Sequence, residues 1–187
     1  MNPTIETIFR RRSIRNFTDQ PVDDETLTLL LQAGMAAPSA VNSQPWEFIV
    51  VTDPDVLAKL RSRLPFAHHN APAAIVVLGS PERAHNTAGR LFWEQDCSAA
   101  MENMLLAAVG LGLGAVWIGI HPIAPFVRAA RQVLEIPEEV TPLGMMHVGH
   151  PAQEKPARTQ YDEHKVYWQR YEKRKRRAKI KNAKLLP

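Results

Sequence analysis

Arg11-Arg12-Ser13-Ile14-Arg15 places three guanidinium groups and a hydroxyl within five residues. Arginine donates in a planar fork that matches phosphate and other flat anions. The segment is either an anion site or a solvated basic surface. A second segment, Ala37-Pro38-Ser39-Ala40-Val41-Asn42-Ser43-Gln44-Pro45-Trp46, is small and polar, then rigid. Ser39, Asn42 and Gln44 both donate and accept, which suits the polar edge of a heterocycle. The same groups could instead satisfy the loop's own backbone.

A third segment, from Gly110 to Gly119, reads GLGLGAVWIG. It contains G-x-G, but a helical pattern precedes it and a strand pattern follows. A dinucleotide fingerprint requires strand, glycines, then helix, so the order excludes that reading. Glycine here lets backbone approach a flat ligand or a neighbouring helix closely. A fourth segment, Gly149-His150-Pro151-Ala152-Gln153-Glu154-Lys155-Pro156-Ala157-Arg158, carries two cations on a proline-stiffened stretch. Lys155 and Arg158 either join the arginine cluster around one phosphate or are exposed charges on a connector.

These segments need elements to position them. Asn2-Pro3 pairs an N-cap with proline at the first helical position, and Ile5, Ile8 and Phe9 follow at helical spacing. Arg10, Arg11 and Arg12 close that helix, and residues 13–21 connect to the next. Asp23, Asp24 and Glu25 suit the positive end of a helix whose buried side is Leu27, Leu29, Leu30 and Leu31. Strands are predicted over 47–52, 73–79, 115–120 and 142–149, with a helix from Asp53-Pro54 to Arg63 and another within 122–134. Residues 64–72 read as a loop, 80–90 as a polar connector, and 91–111 as a long helix. That helix is apolar almost all round after Ala99, which belongs in a core or a subunit interface. Residues 161–184 are helix-prone and increasingly basic. The layout is mixed helix and strand, with a small sheet covered by helices.

The chain has 187 residues, 45% of them apolar and 22% charged, enough for one domain with a proper core. No apolar run spans a membrane and no signal-peptide pattern opens the chain. A single cysteine, Cys97, excludes an internal disulfide and any multi-cysteine metal site; it reads as a small buried residue. These features point to the cytoplasm. His68, His69, His121, His147 and His150 form no recognisable ligand pair, so no metal is expected. The net charge of +4 misdescribes both parts of the chain. Residues 170–187 hold nine Lys/Arg against one acid, leaving residues 1–169 with 14 against 18. The body is mildly acidic, and the organisation expected is a domain over 1–169 with a basic tail over 170–187.

Taken in order, RRSIR, PSAVNSQPWEF, GLGAVWIGI and GHPAQEKP resemble the FMN-dependent nitroreductase family, in its short single-domain members. The resemblance runs from about Ile8 to Tyr171. It implies an α+β fold with a small, mostly antiparallel sheet sandwiched by helices. It also implies an intertwined homodimer with FMN at the dimer interface. By position, Arg11, Arg12, Ser13 and Arg15 match the motif holding phosphate, ribityl and pyrimidine edge. Arg15 is matched to the flavin N1/O2 side, where a cation favours the reduced flavin. Asn42 and Gln44 match residues near the pyrimidine and ribityl groups, and Pro38, Ser39 and Ala40 a stretch reaching the partner subunit's flavin. Trp117, Ile118 and Gly119 match the strand end beside the isoalloxazine, and Lys155 and Arg158 the late phosphate contact. Gln160 stands where related sequences often carry a basic residue.

The implied activity is hydride transfer from NADH or NADPH, through flavin N5, to an electron-poor acceptor such as a nitroaromatic or quinone, in ping-pong order. No side chain is assigned acid–base or nucleophilic work. Phe66, His68, His69 and Trp93 are candidates to line the opening over the flavin, or are ordinary surface residues. The rival reading is a flavin-fold binding or regulatory protein whose basic tail, with Tyr167, Trp168 and Tyr171 before it, contacts nucleic acid or anionic membrane.

Overall fold

The helices of this computed structural model, which describes residues 2–84 and 86–171, begin where short polar side chains stop the preceding chain. Asn2 accepts from the Thr4 N–H at 2.9 Å and opens α1 (Pro3–Arg10). Asp23 accepts from the Thr26 N–H at 2.7 Å and opens α2 (Asp24–Met35). Asp53 takes the N–H groups of Asp55 and Val56 at the head of α3 (Pro54–Arg63). Asn86 takes that of Gly89 at the head of α4 (Thr87–Gly110). Each cap satisfies amides that the helix itself leaves unpaired. Among the α-helices of the described residues, α5 (Ala124–Leu134) alone starts without a side-chain cap.

Among the described residues four strands, β1 (Trp46–Val51), β2 (Ala73–Gly79), β3 (Gly114–Gly119) and β4 (Thr141–Gly149), form one sheet in the order β1-β2-β4-β3. Every neighbouring pair is antiparallel. The central strands β2 and β4 are almost continuously apolar because helices cover both faces. Ile75, Val77, Met146 and Val148 pack with Leu27, Leu30, Met101 and Met104 of α2 and α4. Val76 and Met145 face Leu57, Leu60 and Ala130 of α3 and α5. The α+β sandwich implied by the family resemblance is the architecture observed.

Several expectations change. The long helix begins at Thr87, four residues before the apolar pattern does, because Asn86 caps it. Leu29 lies on the outer side of α2 and is 44% exposed, whereas Leu27 and Leu30 are buried. Residues 161–171 are not helical beyond one 3-10 turn at Glu163–Lys165. There the Asp162 carboxylate accepts from the His164 N–H at 3.0 Å, and Val166 then returns to extended backbone. A side chain that bonds nearby amides competes with helix continuation. The rest of the basic tail, residues 172–187, lies outside the described residues.

The apolar second half of α4 is largely covered by the chain itself. Ala100, Met101, Met104, Leu105 and Ala108 are all buried. Uncovered apolar groups include Ile5 and Ile8 on α1, Leu91 and Phe92 at the start of α4, and Trp168 and Tyr171 near the C-terminal end of the described chain.

Candidate functional site

The RRSIR segment is held against the edge strand β3. The Ile14 N–H donates to the Ala115 carbonyl at 2.9 Å, and Ser13 bridges Ala115 in parallel. Gly114 makes this approach possible: a Cβ there would stand 2.7 Å from Ile14 Cγ2. Two residues further on, Phe17 is gripped by the Asn70 side chain. Asn70 Oδ1 accepts from the Phe17 N–H at 3.0 Å, and Asn70 Nδ2 donates to the Phe17 carbonyl at 2.6 Å.

The chain leaving β4 closes over the other side. The Thr18 N–H donates to the His150 carbonyl at 2.9 Å, and the Ala152 N–H to the Asn16 carbonyl at 3.0 Å. Lys155 Nζ donates to the Ser13 carbonyl at 2.6 Å, and Arg12 donates to the Pro156 carbonyl. The Arg158 N–H reaches the Phe9 carbonyl at 3.0 Å. Gln153, with its side-chain oxygen turned inward, accepts from the N–H groups of Arg15 at 2.7 Å and Asn16 at 3.1 Å. Three of the four motifs are thus one structural unit.

That unit gathers cations. The Lys155 ammonium is pushed below the usual lysine range, first by partial desolvation and then by repulsion from Arg15, Arg12 and Arg158. Groups that repel one another are held together by backbone hydrogen bonds, and the arrangement suits an anion. Arg12 and Lys155 line a cavity of about 430 Å³ with Arg10, Glu154 and Gly112. Arg15 lines a neighbouring cleft of about 440 Å³ with Phe66, His68, His69, Trp117 and Gly119. Trp117 stands over Gly144, where a Cβ would be 2.6 Å from the indole nitrogen.

Other candidates sit apart. Arg11 turns to α4 and pairs with Glu102 at 3.4 Å. Pro38, Ser39 and Ala40 line a separate shallow cavity of about 360 Å³ with Phe92 and Asp96. In this loop Val41, Asn42 and Gln44 all have positive φ, at 53°, 54° and 47°. Asn42 and Gln44 are exposed, joined by a 3.1 Å bond from Gln44 Nε2 to Asn42 Oδ1. Neither reaches the Arg15 cleft of the same chain. Trp93 does not line that cleft either: its indole packs on Gly79 and meets the His121 ring at 5.1 Å.

Some contributors were not legible as such. Buried Asp96 accepts from the Ala40 N–H at 3.0 Å and from the Ser43 hydroxyl at 3.3 Å, fixing the strained loop. In the sequence it is one polar residue in an amphipathic stretch. Gln153 acts on backbone more than a hundred residues away and Asn70 on backbone 53 residues away, which no local pattern reports. Cys97 is buried, and its thiol is pushed up to about 12 by desolvation and by Asp96. Among the described residues no group of three or more His, Cys, Asp or Glu could hold a metal ion. No helix among them is long and apolar enough to cross a membrane.

Comparison with known proteins gives the same picture. The family model described as "Nitroreductase family" matches residues 8–65 and 61–150. A protein of Archaeoglobus fulgidus, provisionally named NADH dehydrogenase/NAD(P)H nitroreductase, is 43% identical over 157 residues, or 83% of this chain and 89% of that one. A Parabacteroides distasonis crystal structure with the same provisional name has a TM-score of 0.85 at 39% identity, covering 91% of this chain and 100% of that one. A provisionally named nitroreductase of Desulfovibrio desulfuricans, solved in complex with FMN, has a TM-score of 0.76 at 32% identity, covering 92% and 99%. On this fold, these motifs and these matches, the chain belongs to the nitroreductase family.

Proposed function

We propose that this chain binds FMN and transfers hydride from NADH or NADPH to an electron-poor acceptor of the quinone or nitroaromatic kind. It is an oxidoreductase of the nitroreductase family. The observation that carries the proposal is the convergence of Arg12, Arg15, Lys155 and Arg158 beside an open cleft walled by Phe66 and Trp117. This donor set fits the cofactor. Cations with few nearby acids suit a phosphate, and an aromatic-walled cleft suits a flat ring system.

When bound, FMN supplies a two-electron carrier whose N5 takes up and returns hydride. Arg12, Lys155 and Arg158 serve the phosphate, and Ser13 the ribityl chain. Arg15 offers a cation to the pyrimidine edge. Trp117, Ile118 and Gly119 supply the wall beside the ring. Arg11 acts through Glu102, tying the motif to α4. Donor and acceptor take turns against the same ring, which is a ping-pong order.

Pro38, Ser39, Ala40, Asn42 and Gln44 serve the site of a second copy of the chain. Two features support a homodimer: this loop is rigid yet remote from its own Arg15 cleft, and Ile5, Ile8, Leu91 and Phe92 are uncovered. The test is sedimentation of the FMN-loaded protein together with stopped-flow reduction. A dimer reduced by NADH or NADPH and reoxidised by a quinone supports the reading. A monomer that takes up no FMN refutes it.

A further inference from the structure

Beyond the cofactor groups, the Arg15 cleft is lined by two histidines, His68 and His69, that the reaction above leaves without a role. His69 is not on a loose surface loop. Ala67 and Ala71 on either side are fully buried. The Asn70 side chain clamps both backbone groups of Phe17, and Arg61 Nη2 donates to the Ala71 carbonyl at 2.5 Å. Behind His69 stands His147 on β4, with ring centroids 5.6 Å apart and planes at 83°. His147 is fully buried. Neither of its ring nitrogens, nor His69 Nδ1, has a hydrogen-bond partner among the described residues. Buried polar groups are normally paired, so a pair of rings kept this way beside a cleft calls for a reason.

The charged surroundings of His69 are one-sided. Arg15 faces it from the 11–23 connector, Arg61 from α3, His68 from its own loop and His147 from β4. Desolvation and these neighbours hold both imidazoles below their usual range. They are neutral near pH 7, and a neutral imidazole still donates one N–H. The polar lining of the cleft, Arg15, His68 and His69, contains no carboxylate, and the rest is Pro65, Phe66, Val116, Trp117, Ile118 and Gly119. With the flavin ring beside Trp117, Ile118 and Gly119, His68 and His69 are the polar lining groups left for a flat acceptor bearing oxygens.

We propose that His69 touches the electron acceptor, donating a hydrogen bond to the quinone or nitro oxygen on which negative charge develops, with His147 holding the ring from behind. A donor fixed where charge develops lowers the barrier without needing to transfer its own proton. This inference rests on the flavin reading above and adds to it the residue that selects oxygen-bearing acceptors.

The test uses FMN-loaded wild-type, His69→Phe and His69→Gln proteins under anaerobic stopped flow. Phenylalanine keeps a ring without the donor, and glutamine keeps an N–H donor. NADH or NADPH should reduce all three at similar rates. Reoxidation by 1,4-benzoquinone should slow about tenfold to a hundredfold in His69→Phe and be largely restored in His69→Gln. Reoxidation by ferricyanide, which needs no hydrogen bond, should be unchanged. In wild-type oxidised protein, 4-nitrobenzoate should shift the His69 ring nitrogen resonances. Equal losses with both oxidants, no loss in His69→Phe, or a static His69 resonance would overturn the proposal. Slower reduction by the nicotinamide alone would place His69 against the donor and also overturn it. A wild-type protein that takes up no FMN would overturn the flavin reading itself, and this inference with it.

Discussion

Lys155 Nζ donates to the carbonyl of Ser13 at 2.6 Å, joining two segments 142 residues apart. The bond leaves the ammonium charge in place while fixing where it sits. It therefore does two jobs: it locks the late segment onto the RRSIR turn, and it adds a cation to Arg12, Arg15 and Arg158.

Lys155→Met keeps the aliphatic stem and removes the charge and the bond. FMN affinity should fall about tenfold to a hundredfold, the worth of one charge-assisted contact. Titration of the apoprotein with FMN, followed by flavin fluorescence, reads this directly. Unchanged affinity would remove Lys155 from the phosphate site.

Asp96→Ala should release the loop that Asp96 holds through Ala40 and Ser43. Two donors lose their acceptor, at a cost of about 1–3 kcal/mol in unfolding free energy. On the proposed homodimer, in which this loop reaches the second copy's site, FMN affinity should fall as well. Urea unfolding and FMN titration separate the two effects. A loss of stability with full FMN affinity would confine Asp96 to a structural role.

His147 gives the protein a defined acid sensitivity. Its folded pKa is depressed from 6.5 to about 3, by burial first and then by His69 and Arg61. Between those values the unfolded chain binds a proton that the folded chain does not. Stability is therefore full above pH 6.5 and is lost as pH falls toward 3. At pH 5 the loss from this group is about 2 kcal/mol. Urea unfolding at pH 7.5 and pH 5 should show the difference, and His147→Leu should remove most of it. An equal acid slope in the variant would assign the effect to other groups.

Cys97, buried and with its thiol pushed up to about 12, should not react with a thiol-specific disulfide reagent at pH 8 while the protein is folded. It should react stoichiometrically in denaturant. Rapid labelling of the native protein would show that this part of α4 opens.

Much of this arrangement is legible from residue types alone. The Asx residues at 2, 23 and 53 mark helix starts because their short side chains accept from first-turn amides that the helix leaves unpaired. Strand β2 is legible because a β-branched apolar run between turn residues leaves few alternatives. What is not legible is long-range. Nothing local says that Ser13 meets Lys155, or that Arg11 pairs with Glu102 while Arg12 and Lys155 share a cavity. The start of α4 is misjudged because its first turn is polar and its cap, Asn86, precedes the apolar pattern. Trp93 reads as a cleft residue until the missing side chain of Gly79 is seen to make room for it elsewhere. The His69–His147 pair depends on a strand register and a loop meeting in three dimensions, which spacing in the chain does not encode.

The central claim is that RRSIR, the end of β3 and the segment after β4 form one FMN-binding, hydride-handling site. Anaerobic titration of the FMN-saturated protein with NADH and with NADPH, followed in the visible flavin band, tests it most directly. The account predicts uptake of about one FMN per chain and bleaching of the band by at least one nicotinamide. It also predicts loss of FMN uptake in Arg12→Ala/Lys155→Met. A chain that takes up no FMN, or one whose uptake survives removal of both cations, would contradict it.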